Sequence, residues 1–267
     1  MEQIPVMVNG LPGNMATVAA EAIINNENTF IVPYSFTGEK HKGQRASVRQ
    51  TEIFLIAPDE MDVFARIKNA FPGMIIMDFT APNAAEKNAM TYIANGIPFV
   101  MGTTGWNTEK VAKAIELGSI PAVIAPNLAF EITAIMEAFK FVSENFPGLM
   151  SSYSLNVVES HQEAKEDVSA TAIAAVKILE PFGYKRKLVI SVRDKKMQAE
   201  MGIPEKNLSG HAYHTYVFLG EENAEIMITH NIRGRGPYAE GAVKAAIFLS
   251  GKKGIGRVFS VIDVMAG

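Results

Sequence analysis

The chain of 267 residues contains no cysteine. That excludes disulfides, thiolate zinc sites and a cysteine nucleophile, and with it the thiohemiacetal chemistry of semialdehyde dehydrogenases. No apolar run approaches the roughly 18–20 residues that cross a bilayer, so no membrane partner is expected. Neither sign of charge is in large excess. Twenty-five lysines and arginines against 28 acids leave a net charge of −3, which gives no long-range pull toward nucleic acid. Repeats, low-complexity tracts and Gly/Ser linkers are lacking as well. No histidine/carboxylate spacing suits a metal, so none is assigned. The opening residues MEQIPVMV run straight into a strand pattern with no targeting segment. The expected compartment is therefore the cytoplasm, or the plastid stroma if a transit peptide has been removed.

What is present is an ordinary globular composition, 48% hydrophobic and 20% charged, enough for one large or two modest cores. Short, nearly continuous apolar runs at 4–8, 30–34, 53–56, 74–77, 99–101 and 122–125 read as strands buried on both faces. Helical patterns at 59–71, 82–95 and 108–117 lie between them, with Asp59, Asn83 and Asn107 as N-caps and Gly73, Gly96 and Gly118 as stops. This predicts an α/β, doubly wound parallel-sheet (Rossmann-like) nucleotide domain over 1–128. Past Pro147-Gly148 the strands alternate, as at 154–158 and 224–229. Alternation implies a sheet with one polar face, hence a smaller α+β mixed-sheet domain over 131–240.

The first strand ends in Val8-Asn9-Gly10-Leu11-Pro12-Gly13-Asn14-Met15-Ala16. Gly10 permits a tight turn, Gly13 would let a pyrophosphate approach the backbone, and Ala16 would let the helix sit close to the sheet. Gly10, Leu11, Pro12, Gly13, Asn14 and Met15 are thus expected cofactor contacts. The spacing is shifted from the usual dinucleotide fingerprint, and a ligand-free βα turn is the competing reading. The second strand runs into Ser35-Phe36-Thr37-Gly38-Glu39-Lys40-His41-Lys42. With no carboxylate at the strand end, Ser35, Thr37 and Lys40 suit a 2′-phosphate and favour NADPH. A solvated basic turn would look the same, and Glu39 as a ribose-binding acid keeps NADH open. Three further strand ends are expected at the nicotinamide side of the crevice: Asp78-Phe79-Thr80, Gly102-Thr103-Thr104 and Ala125-Pro126-Asn127-Leu128.

The segment 158–172 carries His161 and Lys165 in a short polar loop before Ser169, a natural N-cap. A proton donor, a cation and free helix-start N–H groups there suit a small anionic substrate that is protonated during reaction. His211, His214 and His230 lie in strand patterns and read as structural, and Trp106 reads as packing.

These strand ends, the 161–171 segment and two closing stretches resemble the dihydrodipicolinate reductase family over essentially the whole chain. The closing stretches are Ser209-Gly210-His211-Ala212-Tyr213-His214 and the run from Thr229 through Arg233-Gly234-Arg235-Gly236-Pro237-Tyr238 to Gly241. Gln162 after His161, with Val32-Pro33-Tyr34-Ser35-Phe36-Thr37-Gly38, is more similar to the plant-like branch. The resemblance implies hydride transfer from NADPH, with NADH possible, to dihydrodipicolinate or its hydrated form, 4-hydroxy-tetrahydrodipicolinate. The product would be tetrahydrodipicolinate, in lysine (diaminopimelate) biosynthesis. It implies His161 as general acid assisted by Lys165, and Gln162, Ser169, Ala170, Thr171 and Arg235 at the dicarboxylate substrate, with Arg233 as the alternative arginine. It also implies that 241–267 returns to the nucleotide domain, and that the smaller domain builds a homo-oligomer, dimer or tetramer. Ala170 stands where the family has glycine, which matters if that position needs φ > 0 or touches substrate. Asn14 stands where a basic residue is common. Two other readings fit the sequence: a related NADP-dependent amino- or imino-acid oxidoreductase, and a catalytically weak nucleotide-binding paralogue.

Overall fold

The computed structural model describes residues 3–221 and 224–267. The chain divides into two compact units, Met1–Phe130 with Gly236–Gly267, and Glu131–Arg235. The first segment runs β1 (Ile4–Asn9), α1 (Asn14–Asn25), β2 (Thr29–Ile31), β3 (Tyr34–Phe36), β4 (Arg45–Val48), β5 (Thr51–Ile56), α2 (Met61–Ala70), β6 (Ile75–Asp78), α3 (Pro82–Ala94), β7 (Phe99–Met101), α4 (Glu109–Glu116) and β8 (Pro121–Ile124). Then follow α5 (Phe130–Asn145), β9 (Ser154–His161), α6 (Ala170–Leu179), β10 (Arg186–Val192), α7 (Lys195–Glu200), β11 (His211–Leu219) and β12 (Glu225–Arg233). The chain ends with α8 (Gly236–Ser250), β13 (Arg257–Phe259) and α9 (Val261–Ala266).

The first unit is built on a six-stranded sheet of order β13-β8-β7-β6-β1-β2, all pairs parallel. Its central strands are buried on both faces, as their unbroken apolar runs require. Val6, Val8, Ile75 and Met77 face α1 and α8, while Met7, Ile76 and Phe99 face the other way, against Ala85, Ala89 and Tyr92 of α3. Alanines at 16, 19, 20, 242, 245 and 246 let α1 and α8 pack closely. At Gly241 a Cβ would stand 1.7 Å from the Leu128 carbonyl oxygen, so this helix position accepts no side chain. The strand order reverses between β1 and β6, the point at which open α/β sheets bind ligands.

One expected strand is broken. The run 30–34 gives β2 only to Ile31, because Pro33 has no N–H to continue the ladder. From Tyr34 the chain pairs instead with β5, in a separate sheet of order β3-β5-β4 whose β4–β5 pair is antiparallel. The run 53–56 therefore lies outside the main sheet. Three expected caps differ as well. The N-cap of α2 is Glu60, that of α3 is Ala81 and that of α4 is Thr108, none with a side-chain cap bond. Asn107, one residue before the α4 cap, accepts from the N–H of Glu109 at 3.0 Å.

The second unit is a mixed four-stranded sheet of order β10-β9-β11-β12, parallel only at β10–β9. The register sets Leu155 opposite Phe218, Val157 opposite Tyr216 and Glu159 opposite His214. This face packs against Phe139 of α5 and Ala172, Ala175, Val176 and Leu179 of α6. The reverse face leaves Leu188, Ile190, Leu219 and Met227 exposed. The architecture is the expected one, a doubly wound sheet plus a smaller mixed-sheet unit. Among the described residues no helix is long and apolar enough to cross a membrane.

Candidate functional site

In the first unit the chain leaves β1 through a turn that only glycine can make. Gly10 has φ of +107°, and a Cβ there would lie 2.7 Å from the Phe79 carbonyl oxygen. A Cβ on Gly13 would lie 2.8 Å from the Gly10 carbonyl oxygen, which instead accepts the Gly13 N–H at 2.8 Å. The Leu11–Pro12 peptide is cis. Helix α1 then starts at Asn14 with no side-chain cap and no acid in its first turn. Its orphan N–H groups and the positive end of its dipole are open to an anion. The turn borders a cavity of about 620 Å³ lined by Gly10, Leu11, Pro12, Gly13, Thr37, Phe79 and Thr80, together with Gly38, Glu39, His41 and Lys87. A glycine cradle with no room for a side chain, beside an uncapped helix, fits the phosphates of a nicotinamide dinucleotide.

Several side chains expected at a ligand are committed inside the wall instead. Ser35 is fully buried, with its hydroxyl accepting from Leu11 N–H and donating to Phe36 C=O. Thr37 borders the cavity, but its hydroxyl donates to the Leu11 carbonyl at 2.8 Å. Asp78, also without solvent access, accepts from the Thr80 N–H and hydroxyl, from Asn88 and from Tyr92. Asn9 donates to the Tyr92 hydroxyl and accepts from Phe36 N–H, joining β1 to that network. Burial and the neighbouring Asp78 push the Tyr92 phenol well above its usual range.

The remaining expected contacts fall in three groups. Thr103 donates to the Thr80 carbonyl, and Gly102 packs so tightly that a Cβ would meet the Phe79 ring at 2.6 Å. Ala125 and Leu128 are core, and Asn127 accepts from Ala129 N–H. Asn14, Lys40, Thr104 and Pro126 are exposed and Met15 half-buried, none of them on the cavity wall. Trp106 packs against the core and donates to Thr103 C=O. Lys87, one helical turn into α3, borders the cavity without any sequence signal beyond the helix pattern.

In the second unit His161 closes β9, with Glu159 two residues back on the same face. Glu159 has no solvent access, and its Oε2 lies 3.6 Å from His161 Nε2. Arg193 grips the same carboxylate through Nη2 at 2.7 Å and Nη1 at 3.1 Å, and Ser191 donates to it. Burial pushes Glu159 up, but the Arg193 and Ser191 hydrogen bonds outweigh it and hold the carboxyl below its usual range. Burial is also the main reason that His161 falls to about 4. Glu159 opposes this, while Arg193, Lys165 and His211 reinforce it. The lysine expected to sharpen this acid is thus a lesser contributor than desolvation.

Two of the histidines expected to be structural, His211 and His214, lie beside His161, and His230 lies behind His214. His214 meets the His161 ring edge-on at 5.3 Å between centroids and stacks on His230 at 4.9 Å. His211 pairs with the Ser160 hydroxyl, and His230 with that of Tyr216. Burial pushes His214 down to about 3 and His230 to about 4. Ser169 is the N-cap of α6, accepting from Ala172 N–H, and its Oγ is also 2.8 Å from His214 Nε2. Its hydroxyl is therefore spent, leaving backbone N–H groups as the anion donors of the α6 start. Ala170 is the first helical residue and is not at positive φ, so its methyl group imposes no strain. Gln162 accepts the Lys165 N–H on its carbonyl, which tightens the loop, and both side chains are half-buried, as is Thr171. Arg235 lies against Gly210, where a Cβ would stand 2.9 Å from its Nη1. Arg233, the alternative, is bonded through Nε to the Tyr213 hydroxyl. Among the described residues no cluster of histidine and carboxylate suits a metal.

The family profiles described as dihydrodipicolinate reductase, N-terminus, and dihydrodipicolinate reductase, C-terminus, match residues 4–128 and 132–265. The chain is 38% identical over 270 residues to 4-hydroxy-tetrahydrodipicolinate reductase 1, chloroplastic, of Arabidopsis thaliana, covering 98% of this chain and 78% of that protein. It is 26% identical to 4-hydroxy-tetrahydrodipicolinate reductase of Methanocaldococcus jannaschii, covering 98% of each. A solved dipicolinate-bound dihydrodipicolinate reductase from Paenisporosarcina sp. TG-14 has the same fold, with a TM-score of 0.70, 18% identity and 97% of each chain covered. With both halves of the family matched in order along its length, this chain belongs to the dihydrodipicolinate reductase family.

Proposed function

We propose that this chain reduces 4-hydroxy-tetrahydrodipicolinate, or its dehydrated form dihydrodipicolinate, to tetrahydrodipicolinate, with His161 as the proton donor. The family is NAD(P)H-dependent and serves lysine biosynthesis through diaminopimelate, and this member is an oxidoreductase. The nicotinamide supplies a hydride when bound. Gly10, Gly13 and the first turn of α1 hold its diphosphate, and Lys87 adds a cation at the same cavity. NADPH is the proposed cofactor, with Lys40 and His41 meeting its 2′-phosphate. Glu39, on the cavity wall, is the group through which NADH would be accepted.

The substrate is a dianion. One carboxylate lies on the backbone N–H groups of Ala170 and Thr171, the Ala172 N–H being taken by the Ser169 cap, and the other is held by Arg235, whose guanidinium lies against Gly210. Gln162 and Lys165 flank the ring. Hydride addition leaves electron density that a proton must quench at carbon, and His161 delivers it. In the free protein burial keeps that imidazole neutral at neutral pH, so its proton is taken up as the dianion arrives. The single observation carrying this reading is His161 at a strand end, its Nε2 buried without a hydrogen bond among the described residues and facing a buried carboxylate.

The exposed sheet face bearing Leu188, Ile190, Leu219 and Met227 is the proposed homo-oligomer surface, and the cytoplasm or plastid stroma the proposed compartment. A coupled assay tests the activity. An upstream synthase with pyruvate and aspartate semialdehyde supplies the substrate, and loss of NADPH is followed. Steady turnover is expected. Folded protein that binds NADPH without turning over would favour the weak-paralogue reading.

A further inference from the structure

Glu159 is a carboxylate without solvent access on a strand face whose preceding members, Leu155 and Val157, are core. Burying such a charge is costly unless it is paired, so its partners reveal its use. Arg193 gives it two guanidinium N–H groups. The same guanidinium also reaches the loop after β9: Nε donates to the Lys165 carbonyl at 2.7 Å, and Nη2 to the Asp167 carbonyl at 3.1 Å. One planar group thereby locks a buried carboxylate to the backbone that carries Lys165. On its other side that carboxylate faces His161 Nε2, which is buried and has no hydrogen-bond partner among the described residues. A pair serving packing alone would require neither the histidine approach nor the loop carbonyls.

We propose that Glu159 and Arg193 are positioning residues for proton delivery: Glu159 is the charge partner that holds a proton on His161, and Arg193 keeps Lys165 in place beside it. The inference rests on His161 being the donor. With Nε2 turned to Glu159, Nδ1 is the ring atom that delivers. Its N–H bond breaks, a C–H bond forms on the substrate, and the ring returns to the neutral Nε2–H tautomer. The charged and titratable groups around His161 are Glu159 on its own strand, Lys165 in the loop, Arg193 beyond β10, and His211 and His214 on β11. Of these only Glu159 favours the protonated ring, and Arg193 tempers it by neutralising that carboxylate.

The test is the pH profile of kcat in two variants of the full chain. Glu159→Gln keeps the shape and removes the charge. Its kcat should fall about tenfold or more, with the alkaline limb moved to lower pH and NADPH affinity within about twofold of wild type. Arg193→Gln removes the tempering cation, and its limb should move to higher pH. A packing role would lower the melting temperature of both and leave both limbs in place, which would overturn the proposal. Should either variant fail to fold, the other decides. In the wild-type protein, ¹⁵N-histidine NMR at neutral pH should find His161 as the Nε2–H tautomer, and an Nδ1–H tautomer would overturn the proposal without any variant. His161→Gln in the same assay separates the layers. Retained turnover there removes His161 as the donor. Lost turnover, with unmoved limbs in the other two variants, removes only the inference about Glu159 and Arg193.

Discussion

Asp78 and Glu159 both lie at or near the carboxyl end of a strand with no solvent access, one in each unit, yet they are satisfied by different chemistry. Among the described residues Asp78 accepts from neutral donors only, namely a backbone N–H, the Thr80 and Tyr92 hydroxyls and an asparagine amide. Glu159 is held by a guanidinium and faces an imidazole. A carboxylate ringed by neutral donors fixes a wall and moves no proton. One placed between a permanent cation and a titratable ring sets how readily that ring holds a proton. The same contrast extends to neighbours. Ser35 and Thr37 are bonded into the Gly10–Gly13 turn, whereas His161, His214 and His230 each keep a buried ring nitrogen without a partner among the described residues. The side chains of the Gly10–Gly13 turn are thus bonded before any ligand arrives, with Asn88 Oδ1 on the cavity wall the one buried acceptor left open among the described residues of that unit, whereas the second unit keeps three open ring nitrogens.

The contrast breaks most visibly at Lys165. Lys165→Met should lower kcat/KM about hundredfold while leaving NADPH affinity unchanged. A parallel loss of cofactor affinity would place the lysine in the wrong half of the chemistry. Asp78→Ala should do the reverse. Leaving Thr80, Asn88 and Tyr92 donors unpaired should cost about 2–4 kcal/mol of stability in denaturant titration, with the pH limbs of kcat unmoved. A moved limb would deny the wall its purely structural part.

Stability against pH sharpens the comparison further. His214 and His230 are held at about 3 and about 4 by burial, below the roughly 6.5 of an unfolded histidine. Between those values the unfolded chain binds more protons than the folded one. Their contribution is therefore full above pH ~6.5 and is lost as pH falls toward the folded values. Calorimetry from pH 7 to pH 4 should show a falling melting temperature, less steep in His214→Gln, and a rise over that range would contradict the assignment. The smallest effect is expected at Gly210. In Gly210→Ala the new methyl group must displace the Arg235 guanidinium, raising the KM for the dicarboxylate roughly threefold to tenfold with kcat nearly constant. An unchanged KM would remove Arg235 from the substrate.

Much of this was legible in the residues because local rules decide it. The Gly10 turn, the both-face burial of β1 and β6, the Ser169 cap and the His161–Lys165 loop all follow from spacing, propensity or resemblance. The break at Pro33 was written in the sequence too, since a proline cannot donate to a ladder, but the apolar run around it hid the change of sheet. Which way Ser35 and Asp78 point was not legible, because their partners come from distant segments. Glu159 and Arg193 stand 34 positions apart and meet only because β9 and β10 pair in parallel, with Ser191 opposite Glu159. A clue was nonetheless present: an acid at the i−2 position from a histidine, within an apolar strand, needs a cation from somewhere.

The most direct test of the account replaces the donor itself. His161→Gln, assayed for NADPH consumption with the cyclic imine dicarboxylate and for NADPH binding by titration, should lose about 10²–10⁴ in kcat while binding NADPH as the wild type does. Turnover within a few-fold of wild type, in a folded variant, would contradict the claim that this imidazole supplies the proton.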